Sequence, residues 1–305
     1  MFRVRHMGAI VSALTFCVGC TSLAGLSDLS FDGAATGGGG GTTGGNGGVG
    51  GIASDGGAGG VGGGGGDGGT GGSQVTSEYV ATIMASAPVA YWRLGETSGT
   101  MASDSSGNGI HGVYTGSPTL GVPGAIAGDP DTAVELDGVD DMVLVGSAPA
   151  LAFHSNAPFS LEAWVQPTSL PDNEQGIMSR RGTDANGDQG YTLRLETAPN
   201  GRPDITVWQD SANDSTVGTM PIGTAAFSHI VGTYDGAGLR IYVNGSEVGN
   251  DLTNIPTIVD FVTDFVIGVE PNSDFFVGYI DEVAVYDREL SAVEVAMHYA
   301  AGVGP

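Results

Sequence analysis

The sequence predicts an antiparallel β-sandwich, and three observations carry that reading. After residue 88, stretches of alternating apolar and polar side chains recur, separated by Gly, Asn, Asp and Pro. Two of the breaks are Asp235-Gly236 and Asn244-Gly245, pairs that supply the positive φ needed by tight hairpin turns. Only two segments carry helical spacing, one before the strands and one after them. A chain of many strands, regular turns and little helix buries its apolar faces by stacking sheet on sheet.

The first helix is predicted over Thr76 to Ser86, "TSEYVATIMAS", which starts on hydroxyl residues and spaces Val80, Ile83 and Met84 along one side. In "FSLEAWVQP" Phe159, Leu161, Ala163 and Val165 alternate with Ser160, Glu162, Trp164 and Gln166, the pattern of a half-buried strand. In "FSHIVGTYDGAGLRIYVNGSEV" one strand ends at Asp235-Gly236 and a second runs through Leu239, Ile241 and Val243 to Asn244-Gly245. In the last strand, Phe276 to Tyr286, alternation puts Ile280 and Glu282 on one face and Tyr279, Asp281, Val283 and Val285 on the other. The second helix runs from Ser291 to Ala301, with Ser291 and Glu294 spaced as a capping box.

Ahead of the domain, "MFRVRHMGAIVSALTFCVGC" joins a basic start (Arg3, Arg5) to an apolar run too short to span a bilayer. "CVGC" resembles the bacterial lipobox. That resemblance implies a signal peptide over residues 1–19, a lipidated Cys20, and a place in the cell envelope. Thr21, where Asp often retains such proteins at the inner membrane, favours the outer membrane, facing periplasm or exterior. Cys17 and Cys20 are the two cysteines of the sequence, so the mature chain is expected to form no disulfide. From Gly33 to Gly72 the chain is mostly Gly. It cannot bury enough apolar surface to offset chain entropy, so residues 20–74 are expected to form a disordered tether, whose Gly33 to Gly72 part has a typical reach of roughly 35 Å. A phosphate-cradling loop is excluded for want of a flanking strand, a helix and any Lys. A formal charge of −25 excludes nucleic acid as partner.

"PVAYWRLGE", "DSSGNGIHG", "VELDGVDDMVLV", "FSLEAWVQP", "HIVGTYDGAGLRIYVNG" and "GYIDEVAVYDRELSAVEV" follow in that order. The series resembles the laminin G-like, concanavalin A-like lectin/glucanase jelly roll of bacterial surface proteins, over essentially all of Val75 to Gly302. The resemblance implies a two-sheet jelly roll over residues 75–305 and allows lectins, adhesion modules, sialidase-associated domains and glycanases. Its glycanases carry an E-x-D-x-x-E strand. Here the nearest match, Tyr279 to Ala284, lacks both outer Glu residues, and the adjacent Asp281 and Glu282 point to opposite faces. There is no G-x-S-x-G elbow, and His111, His154, His229 and His298 are scattered without metal-ligand spacing. The chain is therefore expected not to be an enzyme.

The resemblance also implies a structural calcium ion between an early loop and the last strand. Carried over, its ligands are the Asp104 carboxylate, main-chain oxygens near Asn108 and His111, and the Asp281 carboxylate; a metal-free Asx-type turn is the alternative. "DANGDQG", Asp184 to Gly190, imitates a calcium loop. Gln189 and Leu195 stand where an EF-hand needs Gly and Glu, so it reads as a hairpin loop. Trp164, Arg194 and Trp208 sit opposite the expected core residues of their strands and are the candidate ligand-binding side chains, an aromatic plane stacking on a sugar and an Arg reading hydroxyls. The function expected is a non-catalytic, lipid-anchored, carbohydrate-binding module. The alternatives are an adhesive or structural envelope protein that binds a protein partner, and a divergent glycoside hydrolase.

Overall fold

The computed structural model describes residues 77–305, apart from 171–172, 184–186, 198–200, 210–211, 253–257, 259–261 and 272–273. Cys20, the Gly-rich segment, and Asp184 and Asn186 lie outside the described residues. In chain order, helix α1 (Glu78–Ala85) precedes β1 (Ala90–Trp92), β2 (Met101–Ala102), β3 (Gly112–Thr115), β4 (Thr119–Pro123), β5 (Thr132–Asp137) and β6 (Met142–Gly146). After a 3-10 turn at Pro149–Leu151 come β7 (Phe159–Pro167), β8 (Gln175–Thr183), β9 (Asp188–Leu195), β10 (Pro203–Gln209) and β11 (Ala212–Val217). Next are β12 (Ser228–Tyr234), β13 (Leu239–Val243), β14 (Ser246–Asp251), β15 (Phe265–Ile267), β16 (Val269–Glu270) and β17 (Asp274–Phe275). The long strand β18 (Val277–Tyr286) and helix α2 (Ala292–Val303) end the fold.

The strands form two eight-stranded antiparallel sheets and a separate two-stranded ribbon, β16-β17. Sheet A has the order β14-β13-β12-β7-β18-β5-β4 with β1 also paired to β18, and sheet B the order β11-β10-β9-β8-β15-β6-β3-β2. Leu161, Val165, Ile230 and Ile241 of sheet A meet Ile177, Leu193, Ile205 and Val207 of sheet B in one buried core. Both predicted hairpins are present: β12 pairs β13 across the Gly236 turn, and Asn244 and Gly245, at φ 50° and 77°, return the chain into β14.

Both helices are present with their caps. Ser77 accepts from Val80 N, and Ser291 and Glu294 form the capping box. They pack on the outer face of sheet A, where Tyr79, Ile83 and Val295 join Trp164, Val231, Tyr242 and Tyr286 in a second core. Strand β7 is therefore buried on both faces rather than half-buried, because a helical layer covers the side that alternation left free.

The last strand departs from simple alternation. Beside β7, Asp281 pairs with Trp164 and Ala284 with Glu162, so β18 carries an extra residue at a bulge, with Glu282 at φ 52°. On its other edge β18 pairs β5 up to Ile280 and β1 from Val283 onward, so the bulge lies where one partner gives way to the other. The extra residue shifts the side-chain parity. Ile280, Val283 and Val285 all face the main core, while Asp281 shares the Trp164 side.

Candidate functional site

On sheet B, alternation sends Arg181, Arg194 and Trp208 to the face turned away from the core. Pairing aligns Arg181, Gly190, Trp208 and Asn213 in one row across β8 to β11. Gly190 has φ 115°, and a Cβ there would lie 1.9 Å from the Arg180 carbonyl oxygen, so no larger residue fits. The missing side chain lets Arg181 reach across: its guanidinium carbon lies 3.7 Å from the centre of the Trp208 ring. Trp208 is half-buried, and its Nε1 is buried without a partner.

The rest of this face is ionic. Glu270, brought over by β16, pairs with Arg181 at 2.6 Å and with Arg194 at 3.1 Å. Arg194 also holds Asp204 at 3.0 Å and Glu174 at 2.6 Å. Its Nε, Nη1 and Nη2 are thus committed to three carboxylates, so Arg194 orders this face. Burial, with Glu270 and Asp204 nearby, holds the Glu174 carboxyl above its ordinary value against the pull of Arg194.

Trp164 is placed differently. It is 2 % exposed, its Nε1 donates to Tyr79 Oη, and Gly302 of α2 packs against its ring. A ligand cannot reach it; the helices that cover it could not be inferred from its own strand.

Under those helices Glu162 is fully buried and accepts from four side chains: Tyr286 Oη at 2.8 Å, His229 Nε2 at 2.7 Å, His298 Nδ1 at 3.0 Å and Tyr79 Oη at 3.3 Å. Burial alone would raise the Glu162 carboxyl, but the two histidines and their hydrogen bonds outweigh it and hold the group far below its usual range. Glu162 in turn raises His298 against its own desolvation. Ser86 Oγ lies 2.8 Å from His298 Nε2, so Ser86, His298 and Glu162 follow one another in the order of a hydrolase triad. The chemistry does not follow. The imidazole is fully buried, and its raised pKa favours the protonated form, which cannot take a proton from Ser86. The amides of Ser86 and Ala87 are already bonded to Ile83 O and Met84 O, so neither can hold an oxyanion.

A third polar cluster marks the bulge of β18. Glu282 is fully buried, accepts from Tyr91 Oη, and pairs with Arg93 at 3.0 Å; Arg93 also holds Asp129 and Asp131, each at 2.8 Å. Asp281 is 2 % exposed. Its Oδ2 accepts from Ala125 N at 2.7 Å, and its Oδ1 is buried with no partner. Burial raises both carboxyls, Glu282 adds to the rise at Asp281 and Asp131 to that at Glu282, and Arg93 opposes it at both.

The calcium set implied by resemblance fits this arrangement at one end only. Asp281 offers a free oxygen that a cation would complete, with the main-chain oxygen of Asp131 on the same side of Gly124 as its carboxylate. Asp104 offers none: its oxygens accept from Tyr91 N, Ser106 N and Ile110 N at 2.8 to 3.1 Å, the pattern of an Asx-type loop. His111 Nδ1 accepts from Asp104 N, and Asn108 Nδ2 donates to Val89 O. Strand β1 stands between the two aspartates, bridged to Asp104 at Trp92 on one side and paired with β18 on the other. The side chains that the sequence reading passed over are Arg93, Glu162, Arg181 and Glu270. Of these, Glu162 carried a local signal, since alternation along β7 sets it on the Trp164 side, two positions from that ring.

The sequence profile described as the concanavalin A-like lectin/glucanases superfamily matches residues 137–296, more than half of the chain. The chain belongs to this superfamily. No curated protein matches the sequence. Among solved structures, the superfamily fold is shared with the binding domain of Paraclostridial Mosquitocidal Protein 1 at 16% identity and TM-score 0.58, covering 71% of this chain and 52% of that one. The chain thus spans about half the length of that protein. Domain 4 of an extracellular arabinanase from Geobacillus stearothermophilus, in complex with arabinotriose, aligns at 23% identity and TM-score 0.52 over 70% of this chain and 98% of that one. Trypanosoma rangeli sialidase aligns at 18% identity and TM-score 0.52 over 70% of this chain and 32% of the enzyme. At these identities the likeness shows the fold alone.

Proposed function

We propose that this domain is a non-catalytic carbohydrate-binding module with Trp208 as its sugar platform. The observation that carries the reading is the position of Trp208: half-buried, on the outward face of sheet B, in a row with Arg181 and the exposed Asn213. An aromatic plane stacks on the apolar face of a sugar ring, and flanking amide and guanidinium groups bond its hydroxyls. The arabinotriose complex of the arabinanase domain and the sialic acid complex of the sialidase support a sugar as the ligand class for this fold. The engagement of Glu162 and Glu282 in buried networks supports the non-catalytic reading. Binding of the domain to a glycan array checks it: Trp208→Ala is expected to lose the glycans that wild type retains, without turnover of labelled sugars by either. Undiminished binding by Trp208→Ala would place the platform elsewhere.

Two further parts of the reading are proposals of the same kind. Lipidation of Cys20 would hold the module at the cell envelope, and Cys20→Ser is expected to leave the membrane fraction. Calcium would bind at Asp281 and complete its free oxygen, and elemental analysis of the purified protein checks that occupancy.

A further inference from the structure

The chain has 34 acidic residues against nine arginines and no lysine, so an ion pair is easy to find. Among the described residues, Arg93, Arg181, Arg194, Arg202, Arg240 and Arg288 each reach a carboxylate. Arg180 does not. It is 5 % exposed, its Nε is buried without a hydrogen-bond partner, and its guanidinium joins none of the described ion pairs. A buried, uncompensated cation is costly, and a scarcity of acids cannot account for it here.

Its position gives a reason. Arg180 lies directly opposite Tyr191 across β8 and β9, so the two leave sheet B on the same, inward side. Tyr191 belongs to the core, and its hydroxyl is anchored to Leu151 O at 2.7 Å, under the segment that links β6 to β7. There Arg180 lines a cavity of about 280 Å³ together with Ser147, Pro149, Ala152, His154 and Val262. Among the described residues, the cavity thus offers a guanidinium, a hydroxyl and an imidazole, with no carboxylate in its wall.

We infer that this cavity is an anion site: it takes a single carboxylate or sulfate group, held by the planar donor fork of Arg180 and flanked by Ser147 and His154. Arg is suited to the task because its fork matches the two oxygens of such a group. The volume falls just below the range of ligand pockets, about 300–1,000 Å³, and admits one sugar ring at most. The net charge of −25 repels polyanions at long range, but that field is screened beyond about 8 Å at physiological ionic strength, so one acidic group can enter. The oxyanion could be carried on an acidic sugar, an assignment that rests on the carbohydrate-binding reading, or be a free inorganic ion, which does not.

The test is thermal melting and calorimetric titration of the domain at constant ionic strength, with sodium glucuronate, sodium sulfate, glucose and sodium chloride. Glucuronate or sulfate well above Kd is expected to raise Tm by about 5 °C over chloride and glucose in wild type. Arg180→Gln is expected to lose that increment while melting no lower than wild type without the anion. A response to glucuronate alone assigns the group to a sugar; a response to sulfate as well supports the shared oxyanion chemistry. No response in wild type, or the same response in Arg180→Gln, overturns the site, and the wild-type arm decides even if the variant fails to fold. Trp208→Ala separates the two readings: it is expected to keep the anion response and lose neutral glycans.

Discussion

The two outer faces of the sandwich start from the same sequence pattern and end differently. Each has a strand with core residues on one side and a tryptophan on the other: Trp164 on β7 and Trp208 on β10. On sheet A two helices close over the tryptophan and seal it above a buried carboxylate with four donors. On sheet B no helix of the described residues covers the tryptophan, and two arginines sharing Glu270 order the surroundings and leave the ring half-buried. The contrast teaches that the outward side of a strand acquires its role from the layer that does or does not cover it.

Substitutions can break the contrast. The largest effect is expected from Glu162→Gln, which removes the charge on which two histidines and two tyrosines converge; breaking a buried pair costs about 3–5 kcal/mol. The Glu162 pKa is depressed in the fold, so its contribution is present above its unfolded value of about 4.3 and is lost as pH falls below it. The His298 pKa is raised, so its contribution is present below about 6.5 and is lost as pH climbs through the folded value. Urea melts of both proteins from pH 4 to 9 are therefore expected to differ most between about 4.5 and 6.5. A constant difference across that range would show that the charge does not matter.

The tryptophans come next. Trp164→Ala is expected to cost about 3–5 kcal/mol, as for a large core side chain, and to expose the seat of α2. Trp208→Ala is expected to cost less than about 1 kcal/mol, because a half-buried ring at the surface loses little packing on removal. Equal losses in denaturant melts would erase the distinction between the faces.

The smallest expected effect, with the most informative sign, belongs to Asp281→Asn. Without a cation, the raised carboxyl favours its protonated form in the fold, so at neutral pH it detracts from stability and the amide is expected to melt about 2–4 °C higher. With millimolar calcium the order should reverse, since a cation bound to the folded state selectively stabilises it. A single order of melting in chelator and in calcium would remove calcium from Asp281.

Features set by neighbouring residues could be read from the sequence. The Asn244-Gly245 turn needs only its own two positive φ angles, and the Ser291 to Glu294 box closes within one helical turn. The sandwich itself followed from many such local signals. What could not be read depends on strands far apart in the chain. The bulge at Asp281 and Glu282 exists because β1 and β5 share one edge of β18, and it turned the predicted faces of that strand around. Likewise nothing near Trp164 distinguishes it from Trp208, since the residues that bury it belong to α1 and α2. The isolation of Arg180 is a property of the completed fold and cannot be seen in "SRRGT".

The helical layer over sheet A has a mechanical consequence. Ser77 caps α1, Pro305 follows α2, and one surface hollow contains residues of both helices together with Pro305. Both ends of the described domain therefore leave from one side, and Trp208 faces the other. A load applied at Ser77 passes through α1 to the centre of sheet A, where Tyr79 meets Glu162 on β7, instead of peeling an edge strand from its ladder. The first contact such a load meets inside the sheet is therefore a buried, charged hydrogen bond at its centre and not the ladder of an edge strand.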